Sequence, residues 1–209
     1  MTKDLKYMNI EYNDCDKEYI DDLSNDLEIT SEKIVNFFNL DNYGEKINIK
    51  LFDNLNNFRN YISNLRKKET EEWLCGLCTS IGIYVLSLGE LKKIKYHKDE
   101  QYDDYVKLIT HEFVHSMQNK KYDGFSCLKW ISDGMACFLA NQYSNDTINC
   151  SFEDLIEGKT NYSNYKSLFE YTYIKYGMDY IEELIKDKEY AYGETKRLFD
   201  EVVNVRKNR

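Results

Sequence analysis

The spacing of apolar residues along the chain predicts both helices and strands. Between Lys17 and Leu40, and again in 54–66, apolar residues recur every three or four positions, as they do on the buried face of a helix. Segment 45–54, EKINIKLFDN, alternates apolar and polar residues, and segment 80–88, SIGIYVLSL, is rich in β-branched and aromatic residues, so both predict strands. The apolar stripe of the first helical segment includes Ile20, Leu23, Leu27, Ile34 and Phe37.

A further helix is predicted over 103–118, DDYVKLITHEFVHSMQ. It opens with Asp103 and Asp104, which suit the N-terminal end of a helix, and its apolar residues recur at steps of three and four. His111, Glu112 and His115 fall on a different side from that apolar stripe. The helix therefore presents two histidines one turn apart on one face, where both can reach a single ion.

The H-E-x-x-H pattern is informative because the chain has only three histidines, of which His97 is the third. Histidines at i and i+4, with a glutamate directly after the first, have the spacing of a zinc site in which the glutamate acts as a base. The alternative is that His111 and His115 are ordinary surface or core residues of a helix. The joint pattern on an amphipathic helix favours a site for one Zn²⁺ ion.

A catalytic zinc needs a third protein ligand, and a downstream segment provides a candidate. Segment 130–143, WISDGMACFLANQY, predicts another helix that carries Asp133 and, one turn later, Cys137. Aspartate is a competent zinc ligand, and a thiolate at Cys137 could replace it, although the favoured role of Cys137 is that of a small buried helix residue. Asp133 also has a second interpretation, as the residue that caps the helix it opens.

Together the two segments resemble the gluzincin metallopeptidases of the peptidase MA-like type. In that family H-E-x-x-H is followed by a W-x-x-E-G-x-A element that carries a glutamate ligand. The residues that match this element, with aspartate in place of glutamate, are Trp130, Asp133, Gly134 and Ala136. The resemblance covers about 46–177, and it implies that segment 80–88 is the edge strand that lines the cleft and pairs with the substrate backbone.

The chain departs from the family pattern in two ways. Seventeen residues separate His115 from Asp133, one fewer than in the aminopeptidase branch, and no G-x-M-E-N sequence is present. Because aspartate is one methylene shorter than glutamate, the second helix must approach the zinc more closely. The resemblance therefore implies a peptidase without implying exopeptidase specificity.

The residue types and the resemblance also imply a division of roles in catalysis. Glu112 is the general base for a zinc-activated water and then passes the proton to the leaving amine. Segment 162–177 resembles the tyrosine-containing segment of the family. That resemblance makes Tyr162 the hydrogen-bond donor to the oxyanion, with Tyr165 as the reserve.

Composition and charge narrow the classes of partner. The chain of 209 residues is 42% hydrophobic, lacks proline and carries a net charge of −9, which predicts one compact, acidic domain. Nucleic acids and anionic membranes require a basic face, so neither is an expected partner, and we expect a peptide or protein substrate. With no signal-peptide pattern or membrane span, the sequence predicts a cytoplasmic protein whose six cysteines are thiols.

Two smaller features have simpler interpretations. Cys75 and Cys78 form a C-x-x-C, but the surrounding segment leads into a presumed edge strand, so buried or incidental thiols are favoured over a redox motif. The basic run at 92–98, KKIKYHK, predicts a solvated loop in which His97 is exposed.

The predicted architecture is α+β and zincin-like within a single domain of 1–209. Residues 1–129 are expected to form a small, mostly antiparallel sheet beside the H-E-x-x-H helix, and 130–209 a largely helical part. The predicted function is that of a zinc-dependent metallopeptidase. Two alternatives stay open: a catalytically inactive zincin-like module that binds peptides or regulates, and a redox or regulatory protein that uses its cysteines. Cleavage specificity and oligomeric state are left open.

Overall fold

A computed structural model describes residues 1–40, 44–123, 127–144 and 147–207 as an α+β structure. The chain divides into two compact units, Met1–Lys121 and Tyr122–Arg209. The first unit contains the sheet, and the described part of the second unit is helical. The α+β class and the helical C-terminal part agree with the sequence prediction, whereas the single domain stays a prediction.

The strands of the N-terminal unit form one mixed sheet. They are β1 (Thr2–Asp4), β2 (Met8–Glu11), β3 (Ile47–Phe52), β4 (Gly76–Thr79) and β5 (Gly82–Leu86). Their order in the sheet is β1-β2-β3-β5-β4. The β1–β2 and β4–β5 pairs are antiparallel, and the β2–β3 and β3–β5 pairs are parallel. The expectation of a mostly antiparallel sheet is therefore wrong.

Helical connections explain the parallel pairs. The helices of this unit are α1 (Ile20–Phe37), α2 (Leu55–Arg66), α3 (Leu88–Leu91) and α4 (Tyr102–Lys121). The chain passes from β2 to β3 through α1, and α2 follows β3 before the β4–β5 hairpin. A crossover helix returns the chain to the end of the sheet where it started, so the strands on either side of it run parallel. The sequence analysis identified β3 and β5 but not β1, β2 and β4, and the pairing follows only when all are known.

The edge strands of the sheet are β1 and β4, and the prediction that segment 80–88 provides an edge strand is wrong. All residues of β5 are buried, and β5 pairs with β3 on one side and β4 on the other. Such continuous burial is typical of an interior strand with both faces covered. Among the described strands, β4 therefore occupies the edge nearest β5.

The helix α4 packs on this sheet through its apolar stripe. It contacts β4, β5 and α1. Ile109, Phe113 and Met117, which belong to the predicted stripe, are at most 1% exposed. At the start of the helix the carboxylate of Asp104 accepts the backbone N–H of Gln101 at 3.0 Å, as a residue near a helix N-terminus is expected to do. Burial of the stripe fixes the rotation of α4 about its axis and hence the direction of its other side chains.

The C-terminal unit is built around close contact between two helices. Its helices are α5 (Lys129–Leu139), α6 (Phe152–Glu157), α7 (Tyr162–Lys186) and α8 (Lys188–Lys207). A β-carbon on Gly134 of α5 would lie 2.5 Å from the carbonyl oxygen of Tyr165 and 2.8 Å from Cβ of Phe169, both in α7. Trp130 donates from Nε1 to Thr195 Oγ1 at 3.0 Å and so links α5 to α8. The packing of α5 against α7 thus requires glycine at position 134.

Two sequence expectations concern the environment of the chain. All six cysteines are free thiols in the structure. Of the helices in the described ranges, none combines the length and the apolar character that crossing a membrane demands. The cytoplasmic location stays a prediction.

We expect Gly134→Ala to destabilise the protein by about 1–3 kcal/mol, because its methyl group would collide with the backbone of α7. Gly193 in α8 is the matched control, since a β-carbon there meets nothing within 4 Å. Gly193→Ala should stabilise by up to about 1 kcal/mol, because alanine is the better helix former. Urea unfolding of both variants measures these opposite signs. A Gly134→Ala protein as stable as the wild type would contradict the tight α5–α7 contact.

Candidate metal centre

His111 and His115 lie one turn apart on α4, with their rings close together. Their Nε2 atoms are 3.1 Å apart and their ring centroids 4.8 Å apart. Two nitrogens that each bind one tetrahedral zinc at about 2.0–2.1 Å lie about 3.3 Å from one another. The pair therefore has the spacing that a single zinc ion needs.

Gln118, which the sequence analysis did not single out, orients the second of these rings. Oε1 of Gln118 lies 2.7 Å from Nδ1 of His115, and Gln118 is fully buried. Because the amide oxygen accepts, Nδ1 is the donor, and in the neutral ring Nε2 then keeps the lone pair that a metal ligand requires. The available sequence signal was the spacing, since a side chain three positions after a helical histidine lies on the same face.

The side chain of Glu112 lies against the edge strand β4. A β-carbon on Gly76, the first residue of β4, would be 3.4 Å from both Cγ and Oε1 of Glu112. Cys78, two residues further along the strand, lies 3.1 Å from the hydroxyl of Ser116 in α4. Burial raises the pKa of Cys78 to about 12, and the negative charge of Glu112 adds to that rise. Within the N-terminal unit, the carboxylate therefore lies beside the strand backbone at the edge of the sheet.

Asp133 belongs to the C-terminal unit and lies inside α5. The helix begins at Lys129 and its N-cap residue is Leu128, so the interpretation of Asp133 as a helix cap is wrong. Its side chain is 11% exposed, and Nζ of Lys129 lies 3.2 Å from its Oδ2 atom. A carboxylate has two oxygens, so a lysine beside one does not stop the group from binding a metal. Cys137, one turn later, is fully buried.

Tyr162 and Tyr165 both lie in the first turn of α7, but their surroundings differ. Tyr162 is the first residue of α7, is half-buried and stacks on Tyr143 with ring centroids 6.5 Å apart. Tyr165 is fully buried, and no described group hydrogen-bonds with its hydroxyl. Burial, followed by the negative charge of Asp133, raises the pKa of Tyr165 to about 12. Tyr165, the reserve, thus has a buried hydroxyl within reach of the electrostatic field of Asp133.

His97 is not exposed, contrary to the sequence prediction. Its side chain is 19% exposed, and Nε2 lies 2.9 Å from the carbonyl oxygen of Trp73 while Nδ1 lies 2.6 Å from the carboxylate of Glu100. Both partners are acceptors, so both ring nitrogens carry protons and the ring is a cation. Hydrogen bonds to the Cys75 thiol and to Glu100 raise the pKa of His97 to about 10. The four lysines of the run at 92–98 are exposed, as predicted.

Three cysteines have raised thiol pKa values, the reverse of what reactive cysteines show. Burial is the largest cause that raises the pKa of Cys75, Cys78 and Cys127. Reactive cysteines have a lowered pKa and are thiolates near neutral pH. The raised pKa values therefore favour a packing role for these three thiols over a redox role.

A scan against protein-family models, a search of curated proteins and a search of solved structures each gave no match to the chain. The resemblance to the gluzincins rests on the residues of the chain itself, chiefly His111, Glu112 and His115 and the element around Asp133.

We expect His97 to make the stability of the fold depend on pH. Because folding raises the pKa of His97 from 6.5 to about 10, its stabilising contribution is fully present below about pH 6.5. The contribution then falls by at most about 1.4 kcal/mol per pH unit and is lost as the pH rises through the folded pKa.

Urea unfolding of the wild type and of His97→Gln at pH 6 and pH 9 measures this effect. The difference in unfolding free energy between the two proteins should shrink by more than about 1 kcal/mol from the lower to the higher pH. The same difference at both pH values would show that folding leaves the pKa of His97 unchanged.

Proposed function

We propose that the protein is a zinc-dependent metallopeptidase of the zincin-like, gluzincin type. The observation that carries this proposal is the histidine pair on α4, with Nε2 atoms 3.1 Å apart and the second ring oriented by Gln118. Two imidazole nitrogens brought this close are ligands that zinc favours. Glu112 between them supports a catalytic site over a structural one, because a structural zinc site has no need of a base.

Asp133 is the proposed third ligand. His111, His115 and Asp133 each offer one ligand atom, a ring nitrogen or a carboxylate oxygen, and these are atoms that zinc accepts. The burial of Asp133 supports a role beyond the solvation of a helix surface, since buried carboxylates need a partner of opposite charge. Cys137 is the alternative ligand, because it lies one turn later in the same helix and thiolates also suit zinc.

The proposed reaction is the hydrolysis of a peptide bond. Zinc, when bound, supplies a Lewis acid that polarises the carbonyl and activates a water molecule. Glu112 takes the proton of the attacking water and delivers it to the leaving amine. Tyr162 donates a hydrogen bond to the oxyanion, because a neutral phenol can stabilise the developing negative charge.

The position of Glu112 also suggests how a substrate is held. The carboxylate lies against Gly76, so a peptide that adds to β4 as a further strand would pass beside the base. Main-chain hydrogen bonds to a sheet edge hold a peptide extended, which presents each of its carbonyl groups in a fixed direction. In this proposal β4 takes the role that the sequence analysis gave to segment 80–88.

One observation favours the alternative of an inactive peptide-binding module. Lys129 already forms an ion pair with Asp133 at 3.2 Å. If that pair is retained, the third ligand stays neutralised and the histidine pair alone would bind zinc weakly. Zinc content and turnover separate this alternative from the peptidase.

We expect the wild type to bind one zinc ion, because two histidines and one carboxylate would supply the three protein ligands of a catalytic zinc site. His115→Ala and Asp133→Ala should each lose most of the metal, whereas His97→Gln, which changes the third histidine, should keep it. Elemental analysis of freshly purified protein decides the matter. Full zinc retention by Asp133→Ala together with loss in Cys137→Ser would transfer the third-ligand role to Cys137.

We expect Glu112→Gln to stay folded and zinc-loaded but to lose turnover by about 10²-fold or more, because the amide keeps the shape but cannot accept the proton. The measurement is chelator-sensitive cleavage of a broad peptide library by the wild type and the variant. Equal rates would refute the role of Glu112. A wild type that binds zinc but cleaves nothing would favour the binding module.

A further inference from the structure

The C-terminal unit contains the buried hydroxyl of Tyr165. Its side chain is fully buried, and within the described part of the chain its oxygen has no hydrogen-bond partner. Burying a hydroxyl without a partner is costly. Native structures retain such a group where a water, an ion or a functional interaction completes it.

The surroundings of this hydroxyl belong to the same cluster as Asp133. Lys129, whose ammonium pairs with Asp133 at 3.2 Å, lies 5.5 Å from the centroid of the Tyr165 ring. A β-carbon on Gly158 would be 3.7 Å from the Tyr165 oxygen and 3.6 Å from Cδ of Lys129. The phenol oxygen and the lysine stem thus both lie beside Gly158. Asp133, Lys129 and Tyr165 therefore form one group in which the carboxylate is the acceptor.

The backbone fixes the position of this phenol. Gly134, next to Asp133 in sequence, brings α5 so near to α7 that a β-carbon would lie 2.5 Å from the carbonyl oxygen of Tyr165. The same contact between α5 and α7 therefore positions both Asp133 and Tyr165. A phenol is protonated at neutral pH, so the Tyr165 hydroxyl can donate to a carboxylate.

We propose that Tyr165 is a positioning residue of the metal centre, whose hydroxyl donates a hydrogen bond to the carboxylate of Asp133 when that carboxylate binds zinc. This inference rests on the proposed zinc site. In the structure Lys129 neutralises Asp133 at Oδ2. A carboxylate that turns one oxygen to a metal needs a donor for the other, and hydrogen bonds of this kind orient ligating carboxylates.

Tyr162 provides a matched control on the same helix. It lies three residues earlier, and Lys129 lies over its ring as well, at 4.9 Å from the centroid. Its ring is half-buried and stacked on Tyr143, whereas Tyr165 is fully buried. Tyr162→Phe and Tyr165→Phe remove the same atom from these two environments.

The test is zinc affinity, measured by competition with a chelator on the full chain, together with urea unfolding of the zinc-free proteins. Tyr165→Phe should weaken zinc binding about tenfold or more, because loss of a hydrogen bond that orients a ligand typically has this effect. Its zinc-free stability should equal or exceed that of the wild type, because the variant buries no unpartnered hydroxyl. Tyr162→Phe should bind zinc like the wild type.

A double variant tests whether Tyr165 acts through Asp133. In the Asp133→Ala background, Tyr165→Phe should cause no further loss of zinc affinity, since the group it orients has gone. Wild-type affinity in Tyr165→Phe, equal losses in both tyrosine variants, or an undiminished loss in the Asp133→Ala background would each overturn the inference.

The outcomes distinguish this inference from the proposed function. A wild type that binds no zinc would overturn the metal centre and the inference with it. A wild type that binds zinc, with an unaltered affinity in Tyr165→Phe, would overturn only the role of Tyr165. Zinc binding without peptide cleavage would overturn only the peptidase activity.

Discussion

The burial of one apolar stripe on α4 is the constraint on which the candidate chemistry of the N-terminal unit depends. Ile109, Phe113 and Met117 are almost completely buried, and rotating the helix would expose them at a cost of about 1.5–3 kcal/mol for each side chain. His111 and His115 follow two positions after members of this stripe, so the same packing sets the direction in which both rings point. The core of the unit thus orients the histidines before any ligand is present.

A different kind of constraint acts in the C-terminal unit, where one glycine sets the distance between helices. At Gly134 the backbone of α7 occupies the space that any side chain would need. Because the helical backbone is regular over a single turn, the positions of the residues next to this contact are fixed along with it. Asp133 and Tyr165 are therefore related by backbone packing, which varies less than the conformation of exposed side chains.

The elements that could be predicted from the sequence are those whose evidence is local. The helices α2 and α4 and the strand β3 follow from periodicity, and β5 follows from its content of β-branched and aromatic residues. The strands β1, β2 and β4 have three or four residues each, too few for an alternating pattern to be distinguished from a loop. The parallel pairing of the sheet was missed for that reason.

Contacts between distant residues could not be predicted. His97 lies in a run of lysines, which indicates exposure, yet the carbonyl group of Trp73, 24 positions earlier, holds its ring in place. The burial of Tyr165 depends on the packing of the helices of its unit, which local sequence does not show, so only the resemblance ranked the two tyrosines. Gln118 was within reach of sequence reasoning, because its relation to His115 is local to one helix.

The shortness of β4 has a consequence for recognition and for colloidal behaviour. Its four residues span about 13 Å of extended chain, and about two of them direct their N–H and C=O groups towards the open side. A partner strand can therefore gain few main-chain hydrogen bonds, so discrimination among partners must come from their side chains. For the same reason a second copy of the chain can pair only weakly with β4. A short edge strand thus opposes aggregation by edge-to-edge pairing.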